Sequence, residues 1–347
     1  MRREELRSEL LPALAAVVIG LTVMWAGLTA SGYNGSGALL AMYHGAFGTP
    51  DAVLSALLPR AIPLIIIGLA IGISFRAGAL NIGAEGQFYA GAIAATWVGL
   101  ALGAWPRLIA VPLVLVAGLV AGCFWVLGPA VLRLRFGVLE VISTLLLNFV
   151  AEALVSWMVQ GPLQESGHIY PQSDPLPMAA RLPGLPGTRL HLGIVLALAL
   201  AIGSWVVARR TLVGLQLRAT GLNPVAAAVI GGVNTPRLFG VALLTSGALA
   251  GLAGATEISG TTFALFQNLS PGYGFTAIAV ALLARLNPLV TILTGLLFAA
   301  IEAGASAMQR EAGVPAVAVY MVEASITIVV LLVDARARRR TAVAAGV

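Results

Sequence analysis

Apolar stretches bounded by arginine, proline and polar clusters recur along the whole chain. They read as spans at roughly 10–30, 61–75, 84–104, 108–132, 139–160, 191–208, 237–257, 273–285, 288–308 and 316–333. A membrane-crossing helix takes about 20 predominantly apolar residues, so the pattern predicts an all-α integral membrane protein of about ten transmembrane helices. The run from Leu10 to Ala30 follows Arg2, Arg3 and Arg7 as a signal peptide would, but it is too long for an h-region and reads as a retained first helix. Two spans, 61–75 and 273–285, are short. Pro59, Pro63, Gly78, Gly83 and Gly86 surround the first, and Gly272, Gly274 and Pro288 the second. Interrupted segments at corresponding places in two halves mark a central pathway in many transporters. Sliding 61–93 onto 270–302 pairs Arg76 with Arg285, Gly86 with Gly295 and Ala90 with Ala299, a weak parallel repeat. Gly68/Gly72, Gly99/Gly103, Gly118/Gly122 and Gly247/Gly251 are spaced for close helix packing.

Two segments are polar enough to be loops. The segment 161–190 holds Pro162, Pro171, Pro175, Pro177, Pro183 and Pro186, a density that predicts irregular structure over the bundle. The segment 209–236 contains a short capped helix: Asn223 as N-cap, Pro224 at the first helical position, Val225 to Ile230 as the body and Gly231 as a left-handed terminus. It is either a connector or a docking element for a cytoplasmic partner.

Composition removes whole classes. Of the 347 residues 59% are hydrophobic and 10% charged, which excludes a soluble enzyme and a nucleic-acid-binding module. All 20 basic residues are arginine. With the N-terminus inside, the alternating spans put fifteen arginines on the cytoplasmic side and five outside, so the positive-inside rule places both termini in the cytoplasm. Without lysine there is no standard P-loop, hence no ATPase site of the chain's own. His44, His168 and His191 are far apart, and Cys123 is the sole cysteine, read as an inert buried thiol. Gly272-Tyr273-Gly274-Phe275-Thr276-Ala277 fits a dinucleotide pattern but lacks the strand and acid that such a site needs. No zinc, paired-acid or nucleophile motif points to a membrane enzyme.

Asn81, Glu85 and Gln87 between the first short span and the next, with Asn148, Glu140, Glu152, Glu257, Glu302 and Glu323, are costly against lipid and must face protein or water. Such residues either hold the bundle together or line a polar pathway, and carboxylates among them would suit proton coupling in a stand-alone secondary transporter or channel.

The run FRAGALNIGAEGQ at 75–87 resembles the signature of permease subunits of bacterial ABC importers for nucleosides and simple sugars, the group that includes the ribose-type and branched-chain amino acid permeases. EVISTLLLNF at 140–149, RATGLNPVAAAVIGG at 218–232, SGALAGLAGATEISG at 246–260 and GYGFTAIAVALLARLNP at 272–288 follow in the family order, most similar to the nucleoside-type branch. The resemblance implies a single transmembrane permease domain over 1–347 in the bacterial plasma membrane. Its parts are an N-terminal helix and outer segment (1–60), a first half of the core (61–160), an outer loop (161–190), a cytoplasmic coupling loop (209–236), a second half (237–333) and a cytoplasmic tail (334–347). It also implies a second permease chain, cytoplasmic ABC ATPase subunits carrying the ATP and magnesium, and a substrate-binding lipoprotein or periplasmic protein. No cofactor is expected in this chain. The coupling residues are then Arg218, Gly221, Asn223, Pro224, Ala227 and Gly231. Family members carry charges in this helix where this chain has Val225 and Ala228, which shifts docking toward Arg218, Asn223 and apolar contacts. Phe75, Tyr273 and Phe275 with Asn81, Gln87 and Asn148 are the pathway candidates, able to stack on a base and hydrogen-bond it. Glu85, Glu257 and Glu302 are read as structural polar residues, Glu85 beside a helix start where a carboxylate favours the dipole.

Overall fold

The computed structural model describes residues 18–103, 105–315 and 328. The last predicted span (316–333), Glu323, the cytoplasmic tail, the N-terminal arginines and the first part of span 10–30 lie outside them. The described chain is helical throughout, with two isolated β-bridges and no strand among the described residues. In order the helices are α1 (Val18–Ala30), α2 (Gly35–Phe47), α3 (Leu58–Arg76), α4 (Ala84–Ala101), α5 (Arg107–Phe136), α6 (Glu140–Gln160), α7 (Gly193–Arg210), α8 (Leu212–Leu222), α9 (Pro224–Val229), α10 (Thr235–Glu257), α11 (Tyr273–Leu283) and α12 (Pro288–Ala312). Six stretches among the described residues are long and apolar enough to cross a membrane: Ala52–Arg76, Arg107–Phe136, Glu140–Gln160, Gly193–Arg210, Thr235–Thr262 and Pro288–Ala312.

Three of these findings correct the sequence pattern. The span 61–75 is not short. A π-helical turn, Ala52–Leu57, runs into α3 and makes a continuous 25-residue stretch, with position 61 inside it. Pro59 follows the π-helical turn inside this continuous stretch, and the Arg60 guanidinium donates to the Ala56 carbonyl (2.9 Å). Because α3 is full-length and α11 has 11 residues, the pairing of 61–93 with 270–302 does not extend to the helices themselves. The outer segment before residue 60 holds α2, started by the Asn34 side chain accepting from the Gly37 N–H (2.9 Å) and packed on α12. The inner loop 209–236 holds two helices, α8 as well as the predicted α9.

The core is α3, α4, α5 and α10. Every residue of α3 from Ala61 to Gly72 is buried, as a helix that is apolar all round requires. Gly118 and Gly122 of α5 meet Gly247 and Gly251 of α10 backbone to backbone; a Cβ on Gly122 would sit 2.7 Å from the Gly251 Cα. These small residues let α5 and α10 cross at a distance no larger residue permits, and bury α4 beside them. By contrast α5, α6 and α7 present long rows of exposed apolar side chains, including Phe124, Leu146, Phe149, Val195 and Ile202, as lipid- or partner-facing helices do. Cys123 on α5 is half-buried rather than enclosed.

The bundle has two chemically distinct ends. Arg76, Arg133, Arg135, Arg209, Arg210, Arg218, Arg237 and Arg285 lie at the ends and turns joined by the 77–83 segment, α8 and α9. Arg60, Arg107, Arg181, Arg189 and Arg310 fall at the other end. There the 161–190 segment lies over the bundle, irregular as its prolines predict. It is pinned to the extension of α10 by Ser173 N–H to Leu265 O (2.8 Å), Leu176 N–H to Phe263 O (2.7 Å) and Leu182 N–H to Ser259 O (2.8 Å). Just after it, before α7, burial holds the His191 imidazole down to about 4, so it stays neutral at physiological pH. Its Nδ1 accepts from the Gly193 N–H (3.2 Å), which leaves Nε2 to donate to the Thr261 hydroxyl (3.3 Å).

Candidate functional site

Two incomplete crossings meet inside the bundle. After α3 the chain does not leave the membrane region cleanly: residues 77–83 turn back, and α4 begins beside Asn148, roughly 12 Å along α6 from Glu140 at 1.5 Å per residue. From the other end, residues 263–272 descend without regular structure, and α11 starts only at Tyr273, its 11 residues spanning about half of a bilayer core. Irregular backbone at this depth is tolerated only where protein satisfies it.

Side chains supply that satisfaction group by group. Leu80 N–H donates to the Glu140 carboxylate (3.3 Å), which also pairs with Arg133 (3.2 Å). Ile82 N–H donates to the Thr144 hydroxyl (3.4 Å). Asn148 brackets the turn, its amide donating to the Ile82 carbonyl (3.0 Å) and its oxygen accepting from the Gly86 N–H (2.8 Å). Asn81 and Gln87 face each other: Asn81 Nδ2 donates to Gln87 Oε1 (2.8 Å), and Gln87 Nε2 donates to Asn81 Oδ1 (3.0 Å). Asn81 also accepts from the Gly83 N–H (3.0 Å) and donates to Ser246 of α10 (2.9 Å), so all four of its hydrogen-bonding positions are used. On the α11 side the Ser270 hydroxyl accepts from the Gly272 (3.1 Å) and Tyr273 (2.9 Å) N–H groups. The carboxylate of Glu85, in the first turn of α4, accepts from the Gly274 N–H and ties the two broken elements together. It therefore sits at a helix N-terminus, that of α11 as well as its own.

The pathway candidates divide on burial. Asn81, Gln87 and Asn148 converge on the start of α4 and are enclosed, and Tyr273 is buried edge-on to Phe88. Phe75 packs half-buried at the end of α3, away from Phe275, which is exposed on α11. Glu257 is buried near Thr261 and Arg60 toward the opposite end, and Glu302 is half-buried on α12. The junction has an outer flank that the spans alone did not single out. Glu152 of α6 lies close enough to Glu85 to act on its charge, yet it is exposed. It stands roughly 18 Å along α6 from Glu140, near the middle of a bilayer core. Phe275, next to Gly274, is 43% exposed, and Gln267 donates to Ser156 of α6 (2.8 Å).

At the arginine-rich end, Asn223 caps α9 by accepting from the Ala226 N–H (3.0 Å), with Pro224 at the first position. The left-handed terminus falls at Gly232 (φ 60°), not at Gly231, although the helix itself ends at Val229, one residue before its sequence reads. Gly231 and Val233 N–H groups both return to the Ala227 carbonyl (3.1 and 3.2 Å). Ala227 is buried against the bundle, and Gly221 at the end of α8 sits directly on the Arg76 carbonyl. Arg218 is exposed on α8. What α9 and the residues flanking it offer outward is apolar: Leu222 at the end of α8, Val225, Val229 and Ile230, each more than 70% exposed.

A polytopic helical bundle whose interior is built from two broken crossings, with a capped helix projecting from its arginine-rich end, has the architecture of a membrane transport subunit. Residues 53–332 match the family described as the permease component of branched-chain amino acid transport systems, and the chain belongs to that family. It is a permease subunit of an ABC transporter, a multi-pass protein of the bacterial inner membrane, and not a stand-alone transporter. It is similar to the glucose ABC transporter permease protein TsgB13 of Haloferax volcanii, 37% identical over 302 residues, covering 84% of this chain and 79% of that protein. It is also similar to two guanosine ABC transporter permease proteins of Bacillus subtilis. NupP is 35% identical over 335 residues (94% of this chain, 93% of that protein), and NupQ 27% identical over 258 residues (71% of this chain, 79% of that protein).

Proposed function

We propose that this chain is one half of a paired permease that imports nucleosides or simple sugars, with the route running along the exposed flank of the junction rather than through the Asn81–Gln87 pair. The observation that carries this is Glu152, a carboxylate exposed at mid-span that acts on the charge of Glu85 at the junction. Exposed to hydrocarbon it would cost about 2.5–3.5 kcal/mol or more, so a second chain or a water-filled route must cover it. A route walled by Phe275, Glu152 and Gln267 has an aromatic face for a base or sugar ring and polar groups for hydroxyls. The buried amides hold the broken helices that present this wall; they position it and do not touch substrate. That Bacillus subtilis has both NupP and NupQ, of which this chain is more similar to the first, supports a NupQ-like second permease rather than a second copy.

The arginine-rich end faces the cytoplasm by the positive-inside rule, and both termini lie there. A separate ATPase docks on α9, whose exposed apolar residues fill its groove, and a binding lipoprotein or periplasmic protein meets the 161–190 segment. In proteoliposomes holding the full assembly, Phe275→Ala and Glu152→Gln should each cut ATP-driven uptake at least tenfold with the complex intact. Wild-type uptake by both variants would end the assignment of this flank as the route.

A further inference from the structure

Between α3, α7, α8 and α10 lies a cavity of about 340 Å³ that the junction does not use. Its walls are mostly aliphatic, with Leu69, Leu200, Val207, Leu217, Leu238 and Leu249 outnumbering the hydroxyl-bearing Ser204, Thr245 and Thr291. The hydroxyl of Thr245, which also lines it, is spent on the Val241 carbonyl (2.8 Å), so this wall offers little to a sugar or nucleoside. Along α10 the lining runs from Leu238 to Leu249, a depth of roughly 16 Å at 1.5 Å per residue.

The mouth is different. Arg76 lines the arginine-rich end of the cavity, its guanidinium donating to the Leu286 carbonyl. Arg209 directly follows the lining residue Ala208, and Arg218 follows Leu217; both are exposed, and both act on the charge of Arg76. Arg210 turns instead to Trp205, 5.9 Å from its ring. Among the described residues, the carboxylate at this end is Glu140, and Arg133 holds it. The cavity therefore joins a deep apolar slot to three clustered positive charges that no carboxylate among the described residues balances.

We propose that an acidic phospholipid occupies this cavity, its acyl chain between α7 and α10 and its phosphate among Arg76, Arg209 and Arg218. A slot of this depth takes a chain and not a headgroup, and the arginines at its mouth lie where anionic lipid headgroups meet a membrane protein. The lipid would brace α7, which otherwise packs on few neighbours, against α3 and the coupling helices.

The test uses the full chain in nanodiscs of phosphatidylcholine with and without phosphatidylglycerol. The expected result for the wild-type chain is a higher thermal midpoint with phosphatidylglycerol, and phosphatidylglycerol retained through detergent stripping in native mass spectrometry. Arg209→Gln should lose most of that midpoint gain, while Arg135→Gln, which removes the same charge at the same end away from the cavity, should keep it. Gly203→Leu adds a side chain where a Cβ meets open space, so it should fill the slot without strain and abolish retention with every arginine in place. Equal losses in Arg209→Gln and Arg135→Gln would reduce the effect to diffuse surface charge and overturn the proposal. So would Gly203→Leu with undiminished retention, or a non-lipid solute recovered from the wild-type cavity with no phosphatidylglycerol bound.

Discussion

Around the start of α4 the side chains of Asn81, Glu85, Gln87 and Asn148 are buried and each finds a partner; on α9 apolar side chains stand exposed among the described residues. The two regions are inversions of one another, and each reports on what surrounds it. In hydrocarbon an unsatisfied amide is the expensive group, so Asn81, Gln87, Asn148 and Glu85 are turned inward and spent on backbone and on each other. In water the exposed valine and isoleucine are the expensive groups, and this is the face on which the proposed ATPase docking rests. Changing either region should therefore fail in a different observable.

The largest effect is expected at the buried bracket. Asn81→Leu leaves both ends of the Gln87 amide, the Gly83 N–H and Ser246 without their partner. At about 1–3 kcal/mol for each orphaned buried group, this should remove most folded protein. Fluorescence-detected size exclusion in detergent would read it as loss of the monodisperse peak. Gln87→Leu, which orphans fewer groups, should cost less. An Asn81→Leu chain as stable as wild type would mean that the bracket does not hold the broken crossing.

The second effect is expected on α9 and should leave stability alone. Val229→Asp or Ile230→Asp places a charge on the exposed face, so pull-down of the ATPase should fall sharply while the thermal midpoint stays within a degree or two. Asn223→Ala is the milder companion. Losing a cap worth roughly 1 kcal/mol should weaken association several-fold without abolishing it. A drop in thermal stability equal to that of Asn81→Leu would erase the distinction between the two regions.

How much of this was legible before the structure differs between them for physical reasons. The α9 cap was readable because Asn223 and Pro224 act within one helical turn, and local chemistry is written in neighbouring residues. Its terminus slipped by one residue because Gly231 and Gly232 serve a left-handed position equally well, and only the hydrogen bond from Val233 selects between them. That Asn81 and Gln87 must face protein followed from the cost of exposing them to lipid. That they pair with each other depends on a re-entrant turn whose supports, Glu140, Thr144, Asn148 and Ser246, come from two other helices. Pro59 and Pro63 looked like helix breakers because their spacing says nothing of the π-helical turn that leads into them. Glu152 looked like any intramembrane carboxylate; only its exposure among the described residues sets it apart.

The smallest effect is expected in the outer segment, where stabilising contacts are polar, local and exposed. The Asp174 carboxylate accepts from the Ser166 hydroxyl (2.6 Å) and N–H (3.0 Å), which holds it below the ordinary aspartate range. Glu165 accepts from Gln172 (2.7 Å) and the Tyr170 N–H (2.9 Å) and is lowered in the same way. A carboxylate whose pKa is lower folded than unfolded favours the fold in its ionised form. Its contribution is fully present above the unfolded value, about 4, and fades as pH falls through the folded one. Hydrogen exchange of residues 165–174 should therefore be flat from neutral pH down to about 5, after correction for intrinsic rates, and rise only below about 4. Asp174→Asn should remove part of that rise, and neither change should alter exchange around the start of α4. Both carboxylates are open to solvent, so the bonds are screened and the effect stays local. Acid loosening that spread from this segment to the junction would show that the outer cover and the broken crossings open together.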